Sequence, residues 1–263
     1  MGGESSSEDI TQPDGGFHGP YPEFDTKTKK LSGFPATLKG GLVTIALTGG
    51  TYGVNLQLGR ITGTHSDAEI QKAVDSEAPP AWATLHGGTA GGATAGVTRT
   101  ATVNLDKGNY IWIMFSDGEE LETKAPWAKF SVTGPKSATE PSGGAATIKT
   151  LEYGFDIAGL KAGRNTVTYV NGGNEWHQVI MAKLMPGKTL ADFQKAVAGA
   201  GPPPAGLSDD AAGASLPVLG AGLTEVADLD LKAGTYVFAC FMPDKNGKPH
   251  MMSGMVKEVK IAA

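Results

Sequence analysis

Cys240, His250 and Met255 place a thiol, an imidazole and a thioether within sixteen residues of one another near the C-terminus. Cys240 is the only cysteine in the chain. Thiolate, imidazole and a weak thioether together suit copper held for one-electron transfer. Taken singly, each residue is ordinary: a lone cysteine on a buried strand behaves as a small hydrophobe, and methionine is common core filler. The set gains meaning only if a second imidazole reaches the same point, and His177 is the candidate.

The elements that must position these groups come as two copies of one pattern. Leu42-Val-Thr-Ile-Ala-Leu-Thr-Gly-Gly50 returns as Asn165-Thr-Val-Thr-Tyr-Val-Asn-Gly-Gly173. Ile70-Gln-Lys-Ala-Val74 returns as Phe193-Gln-Lys-Ala-Val197, an offset of 123 residues. Leu105-Asp-Lys-Gly-Asn-Tyr110 returns as Leu231-Lys-Ala-Gly-Thr-Tyr236, an offset of 126. Repetition at nearly constant offset means duplicated domains with one small insertion. The expected organisation is a flexible tail over 1–30, a first domain over 31–133, a linker over 134–148 and a second domain over 149–263. Period-2 alternation, as in Val43, Ile45 and Leu47 or Tyr236, Phe238 and Cys240, marks strands. Each copy also carries one short helical stretch, with Ser66 or Thr189 as N-cap. The repeated Leu-x-x-Gly-x-Tyr pattern reads as a tyrosine corner, with Tyr110 and Tyr236 bonding back to the preceding crossover.

Leu231-Lys-Ala-Gly-Thr-Tyr-Val-Phe-Ala-Cys240, with Gly254-Met-Val-Lys-Glu-Val259 closing the chain, resembles the C-terminal half of plastocyanin-like cupredoxins. Asn171-Gly-Gly-Asn-Glu-Trp-His177 is similar to the earlier loop of that family that ends in a ligand histidine. The resemblance implies an all-β protein of two tandem Greek-key β-sandwiches, each with one short inserted helix. It also implies one copper ion in the second domain, with His177 and His250 as imidazole ligands, Cys240 as thiolate and Met255 as axial sulfur. The sequence departs from the family where Gln178 follows His177 in place of the common Asn. It also separates Cys240 from His250 by nine residues, and it carries extra sulfurs at Met181, Met242, Met251 and Met252.

The nine-residue separation has a physical consequence. Asn246-Gly247 between Lys245 and Lys248 predicts a two-residue type I′ hairpin. Its register would put Pro243 opposite His250 and Cys240 opposite Ser253. His250 would then lie three residues along the ladder from Cys240, about 10 Å at ~3.3 Å per residue. Donors to one ion must lie within about 4 Å of one another. A regular hairpin forbids the site; one broken at Pro243 and Pro249 permits it. The first copy is an internal control, because the offsets place Val54, Met114, Lys124 and Lys129 at the four candidate positions.

The net charge of −5 and the absence of a Lys/Arg cluster argue against a nucleic-acid partner. No apolar run approaches the ~18 residues of a membrane span. The polar, acidic opening segment fits a tether of an exported protein, secreted or lipid-anchored, and the family resemblance implies an extracytoplasmic setting with a redox partner protein. No catalytic pattern stands out: His18, His65 and His86 lack metal spacing, and no Ser/His/Asp or P-loop motif appears. The chain is thus read as a non-enzyme. His86 and Asp209-Asp210 are expected on loops, and Asp117 and Glu119-Glu120 as solvated loop charges. Two other readings stay open: a metal-free interaction module of two sandwiches, and a Cu(I) carrier using the clustered methionines.

Overall fold

The structure, a computed structural model, describes residues 23–25, 30–32, 34–48, 54–76, 80–91, 97–116, 125–198 and 204–263. The first half holds β1 (Glu23–Asp25), β2 (Lys30–Ser32), β3 (Thr37–Lys39), β4 (Gly41–Thr48), β5 (Val54–Ile61), α1 (Asp67–Val74), β6 (Ala83–Gly88), β7 (Thr98–Leu105), β8 (Gly108–Ser116) and β9 (Trp127–Thr133). The second holds β10 (Ala146–Leu151), β11 (Gly154–Ala158), β12 (Gly163–Asn171), β13 (His177–Lys183), α2 (Leu190–Val197), β14 (Ala214–Leu219), β15 (Thr224–Leu231), β16 (Gly234–Ala239) and β17 (Val256–Ile261). The protein is all-β with one short helix per half, as the alternation of its apolar residues dictates. Most of the opening segment, with His18, Asp117, Glu119, Glu120 and Lys124, lies outside the described residues.

Two sheets run through both halves. One has the order β11-β10-β12-β15-β7-β4, the other β17-β16-β13-β14-β6-β5-β8-β9-β3. They pack face to face around two cores. The second core gathers Ile148, Tyr169 and Leu229 from one sheet with Val179, Tyr236 and Phe238 from the other, and with Cys240 just past the end of β16. The first gathers Val43, Leu47 and Val103 against Leu56, Trp112 and Phe130.

The halves join by strand pairing rather than by loose contact. β15 pairs β7 antiparallel, with Ala227 opposite Ala101, and β14 meets β6 at Leu219 and His86. Ala101 and Ala227 are equivalent residues of the repeat, so a local two-fold axis relating the halves passes between them. This is the geometry of a self-complementary dimer interface formed within one chain.

The helix and corner signals are realised. Ser66 and Thr189 each accept from the N3 backbone N–H, and Glu69 and Asp192 reciprocate, closing two capping boxes. Tyr110 donates from its hydroxyl to Asp106 O at 2.9 Å. Tyr236 occupies the equivalent place with the polarity reversed: its hydroxyl accepts from Lys232 N at 3.0 Å and donates to Ala212 O.

Two expectations need correction. His86 is on strand β6, not a loop, and is buried with its ring edge-on to Tyr110 at 5.5 Å. Burial pushes its pKa down to about 4. The residue equivalent to Met255 is Pro126 rather than Lys129. Met114 N donates to Pro126 O just as Cys240 N donates to Met255 O. The loop before β9 is three residues shorter than the offset assumed, and Lys129 instead forms an exposed ion pair with Asp67.

Candidate metal centre

The loop after Cys240 does not form the two-residue type I′ turn that Asn246-Gly247 suggests. Asp244 accepts the backbone N–H groups of Asn246 and Lys248 on its carboxylate, at 2.8 and 2.9 Å. Asp244 and Lys248 then close a three-residue loop, with Gly247 alone taking the left-handed conformation at φ +80°. The register moves by one and sets Pro243 opposite Pro249, two residues with no N–H to continue a ladder. The chain breaks there into a single 3-10 turn over His250–Ser253, ended by Gly254 at φ +105°. His250 N donates to Met242 O and Met251 N to Cys240 O, so the turn folds back onto the cysteine.

His177 arrives from the other side. It is the first residue of β13, paired with Leu219 of β14. Tyr169, reaching across the sandwich, donates to His177 O at 2.8 Å. The preceding loop is tied by Asn171, whose amide donates to Glu175 O and Leu219 O and accepts from Gly173 N. A Cβ on Gly173 would lie 2.8 Å from His177 Nε2 and 2.7 Å from Glu152 Oε1, so only glycine leaves room for the ring.

The three donors converge. Cys240 Sγ lies 3.5 Å from His250 Nδ1 and 3.9 Å from His177 Nδ1, and the two Nδ1 atoms are 3.1 Å apart. An ion bonded at about 2.0 Å to nitrogen and about 2.3 Å to sulfur in a trigonal plane needs donors about 3.5 Å (N–N) and about 3.7 Å (N–S) apart. The observed triangle fits without rearrangement of the chain. Among the described residues it is the one group of three or more His, Cys, Asp or Glu donors this close together. Met255 is wholly buried in the same core cluster as Cys240, and its N–H donates to His250 O.

The electrostatics suit a soft cation. Burial pushes the Cys240 thiol up to about 11, although the backbone N–H groups of Gln178 and Met242 favour the thiolate. Gln178 thus supplies its main chain to the sulfur, and the Asn-to-Gln departure leaves that contact in place. Burial, with His250 adding to it, pushes the His177 pKa down to about 4. His177 is therefore neutral at physiological pH, and a cation bound at Cys240 would have to displace the thiol proton.

Of the other methionines, Met181 lies in the core cluster that holds Cys240 and Met255, and Met242 packs against it; Met251 packs with Phe193 and Val237 beneath α2, and Met252 is exposed. Met114, at the place of Cys240 in the first half, is an ordinary core residue. Three neighbours of the site were not singled out from sequence. Tyr153 packs edge-on to His250, with ring centroids 5.3 Å apart. Glu175 Oε2 lies 2.8 Å from His250 Nε2, and Glu152 Oε1 accepts from the N–H groups of Asn174 and Glu175. The positive φ of Tyr153 before Gly154 had no local sequence signature.

The fold is two facing β-sheets shared by two repeated halves, and its donor cluster is compatible with one copper ion. No protein-family profile and no curated protein matches the chain. Among solved structures, it is similar to a dithionite-reduced auracyanin from the photosynthetic bacterium Roseiflexus castenholzii, at 24% identity over 44% of this chain and 95% of that one, with a TM-score of 0.30. It is also similar to a copper nitrite reductase from Nitrosomonas europaea, at 12% identity over 94% of this chain and 92% of that one (TM-score 0.24). A blue copper oxidase from the same organism matches at 12% identity over 86% and 75% (TM-score 0.23).

Proposed function

We propose that this is an extracytoplasmic electron-transfer protein carrying one copper ion, held by His177, Cys240, His250 and Met255 in the second half. The observation that carries the reading is the convergence of two imidazole Nδ1 atoms and one thiol into a triangle of copper dimensions. Copper bound there would supply a one-electron Cu(II)/Cu(I) couple. The chain's own part is to hold the donors in fixed positions, so that little moves when the charge changes. Strand β13 fixes His177, strand β16 ends one residue before Cys240 and leads into it, and the 3-10 turn fixes His250 and leads into Met255.

All four side chains are buried, which supports a carrier rather than an enzyme, since catalytic metal sites keep an open position. Electrons would pass to and from a partner protein. The first half has Met114 and Pro126 where the second has Cys240 and Met255, and it acts as a scaffold. Among the described residues, no helix is long and apolar enough to cross a membrane. The extracytoplasmic setting rests on the family resemblance.

The test is titration of purified metal-free protein with Cu(II). The expected result is one ion per chain and a strong visible thiolate-to-copper band, with the band lost in Cys240→Ser. Absence of both the band and stoichiometric binding in the wild type would overturn the proposal.

A further inference from the structure

We propose that Glu175 is a positioning residue that backs His250 from outside the metal centre, and that Tyr153 seals the contact. The inference rests on the copper reading above. Metal bonding at Nδ1 leaves the imidazole proton on Nε2, and a carboxylate facing that N–H fixes the ring and makes it a stronger donor. Glu175 Oε2 is 2.8 Å from His250 Nε2. His250 Nε2 has no hydrogen-bond partner in this geometry, because Glu175 Oε2 lies well off the line of its N–H, and a turn of the ring or the carboxylate is needed to complete the bond.

The placement is built, not incidental. Glu175 N donates to Glu152 Oε1, and Glu175 O accepts from the Asn171 amide, so both ends of its peptide are held. Tyr153 donates to the same Oε2 at 3.4 Å, and its ring covers the His250 imidazole edge-on. Tyr153 sits at the tip of the β10–β11 hairpin with φ +60°, the one positive-φ residue other than glycine among the described residues. That backbone is strained for a residue with a side chain and persists only where its surroundings hold it. Here they hold it with the ring over His250. The His250 side chain is consequently fully buried, while Glu175 keeps about a third of its side chain exposed at 33%.

A carboxylate behind a ligand favours the more highly charged metal state. Glu175 should therefore strengthen Cu(II) binding more than Cu(I) binding and hold the reduction potential down. The test compares Glu175→Gln with Asp156→Asn, which removes one charge from an exposed position on β11 of the same half. Loss of an outer partner of this kind costs about 10- to 100-fold in metal affinity. Glu175→Gln should weaken Cu(II) at least tenfold with Cu(I) little changed, raising the potential by about 59 mV for each tenfold. Asp156→Asn should move it far less.

In metal-free protein, Glu175→Gln should also lower the share of His250 protonated at Nε2, read by long-range proton–nitrogen NMR. Equal shifts in the two variants, or no shift in Glu175→Gln, would overturn the proposal while wild-type protein still gives its thiolate band. A wild type without stoichiometric Cu(II) binding would sink the copper reading itself, and this inference with it.

Discussion

Glu225 offers a prediction that is independent of any metal. It lies on β15 between Tyr169 of β12 and Val103 of β7, in the interior of the six-stranded sheet. Its side chain is fully buried and crosses to the other sheet, where Oε2 accepts from Gly88 N at 2.8 Å. Oε1 is buried with no partner. One backbone N–H cannot offset the loss of water around a carboxylate, and burial raises the pKa to about 8 from an ordinary 4.5.

The unfolded chain releases this proton first as pH rises. The stability contributed by Glu225 is therefore complete below pH ~4.5 and is lost on the way up through pH ~8, at about 1.4 kcal/mol per unit. The full loss is about 5 kcal/mol, of which about 3 kcal/mol has already gone at pH 7. Glu225→Gln keeps an acceptor for Gly88 and cannot ionise. Urea unfolding of metal-free wild type and variant at pH 5 and pH 8.5 would measure the effect. The two proteins should agree within about 1 kcal/mol at pH 5, with the variant more stable by roughly 3–5 kcal/mol at pH 8.5. Every other titrating group cancels in the comparison. A difference that is the same at both pH values would refute the reasoning.

Copper uptake at pH 8 should release one proton per ion, because the Cys240 thiol is pushed up to about 11 whereas His177 is already neutral. Calorimetry in buffers of different ionisation enthalpy counts that proton, and two or none would be inconsistent with the site. Gly173→Ala should cost at least about tenfold in copper affinity, by displacing His177 or Glu152, with the fold retained by circular dichroism. Gly87→Ala should destabilise the chain by about 2 kcal/mol or more in chemical denaturation. The residue sits at φ +79° and a Cβ would run into the Glu225 carboxylate. Tyr110→Phe removes the corner bond to Asp106 O and should cost about 1 kcal/mol in the same assay.

The parts that were legible in the sequence are those carried by local pattern or by repetition. Alternating residues marked the strands, Ser66 and Thr189 marked the helix starts, and the duplicated Leu-x-x-Gly-x-Tyr marked both corners. The order His177, Cys240, His250, Met255 pointed to residues that the fold does gather. The turn is not legible locally because two signals compete over the same residues. Asn246-Gly247 favours a two-residue turn, but the Asp244 carboxylate captures two N–H groups and selects the three-residue loop. That single-residue difference, with Pro243 set against Pro249, decides whether His250 reaches Cys240. Glu175 and Tyr153 carry no sequence signal because neither is of the candidate donor set, and they meet His250 only where two loops come together. The pairing of β7 with β15 links residues more than a hundred apart and leaves no trace in any short window.

That pairing also governs what the molecule shows to its surroundings. β6, β7, β14 and β15 would each be an open sheet edge in a half standing alone, with bare N–H and C=O groups ready to recruit another chain. Joined, they cover one another and leave β3, β4, β11 and β17 as the outer margins. Duplication thus works as protection against self-association. A second half expressed alone would present β14 and β15 uncovered, and would pair with its own copy across the seam where Ala227 now faces Ala101.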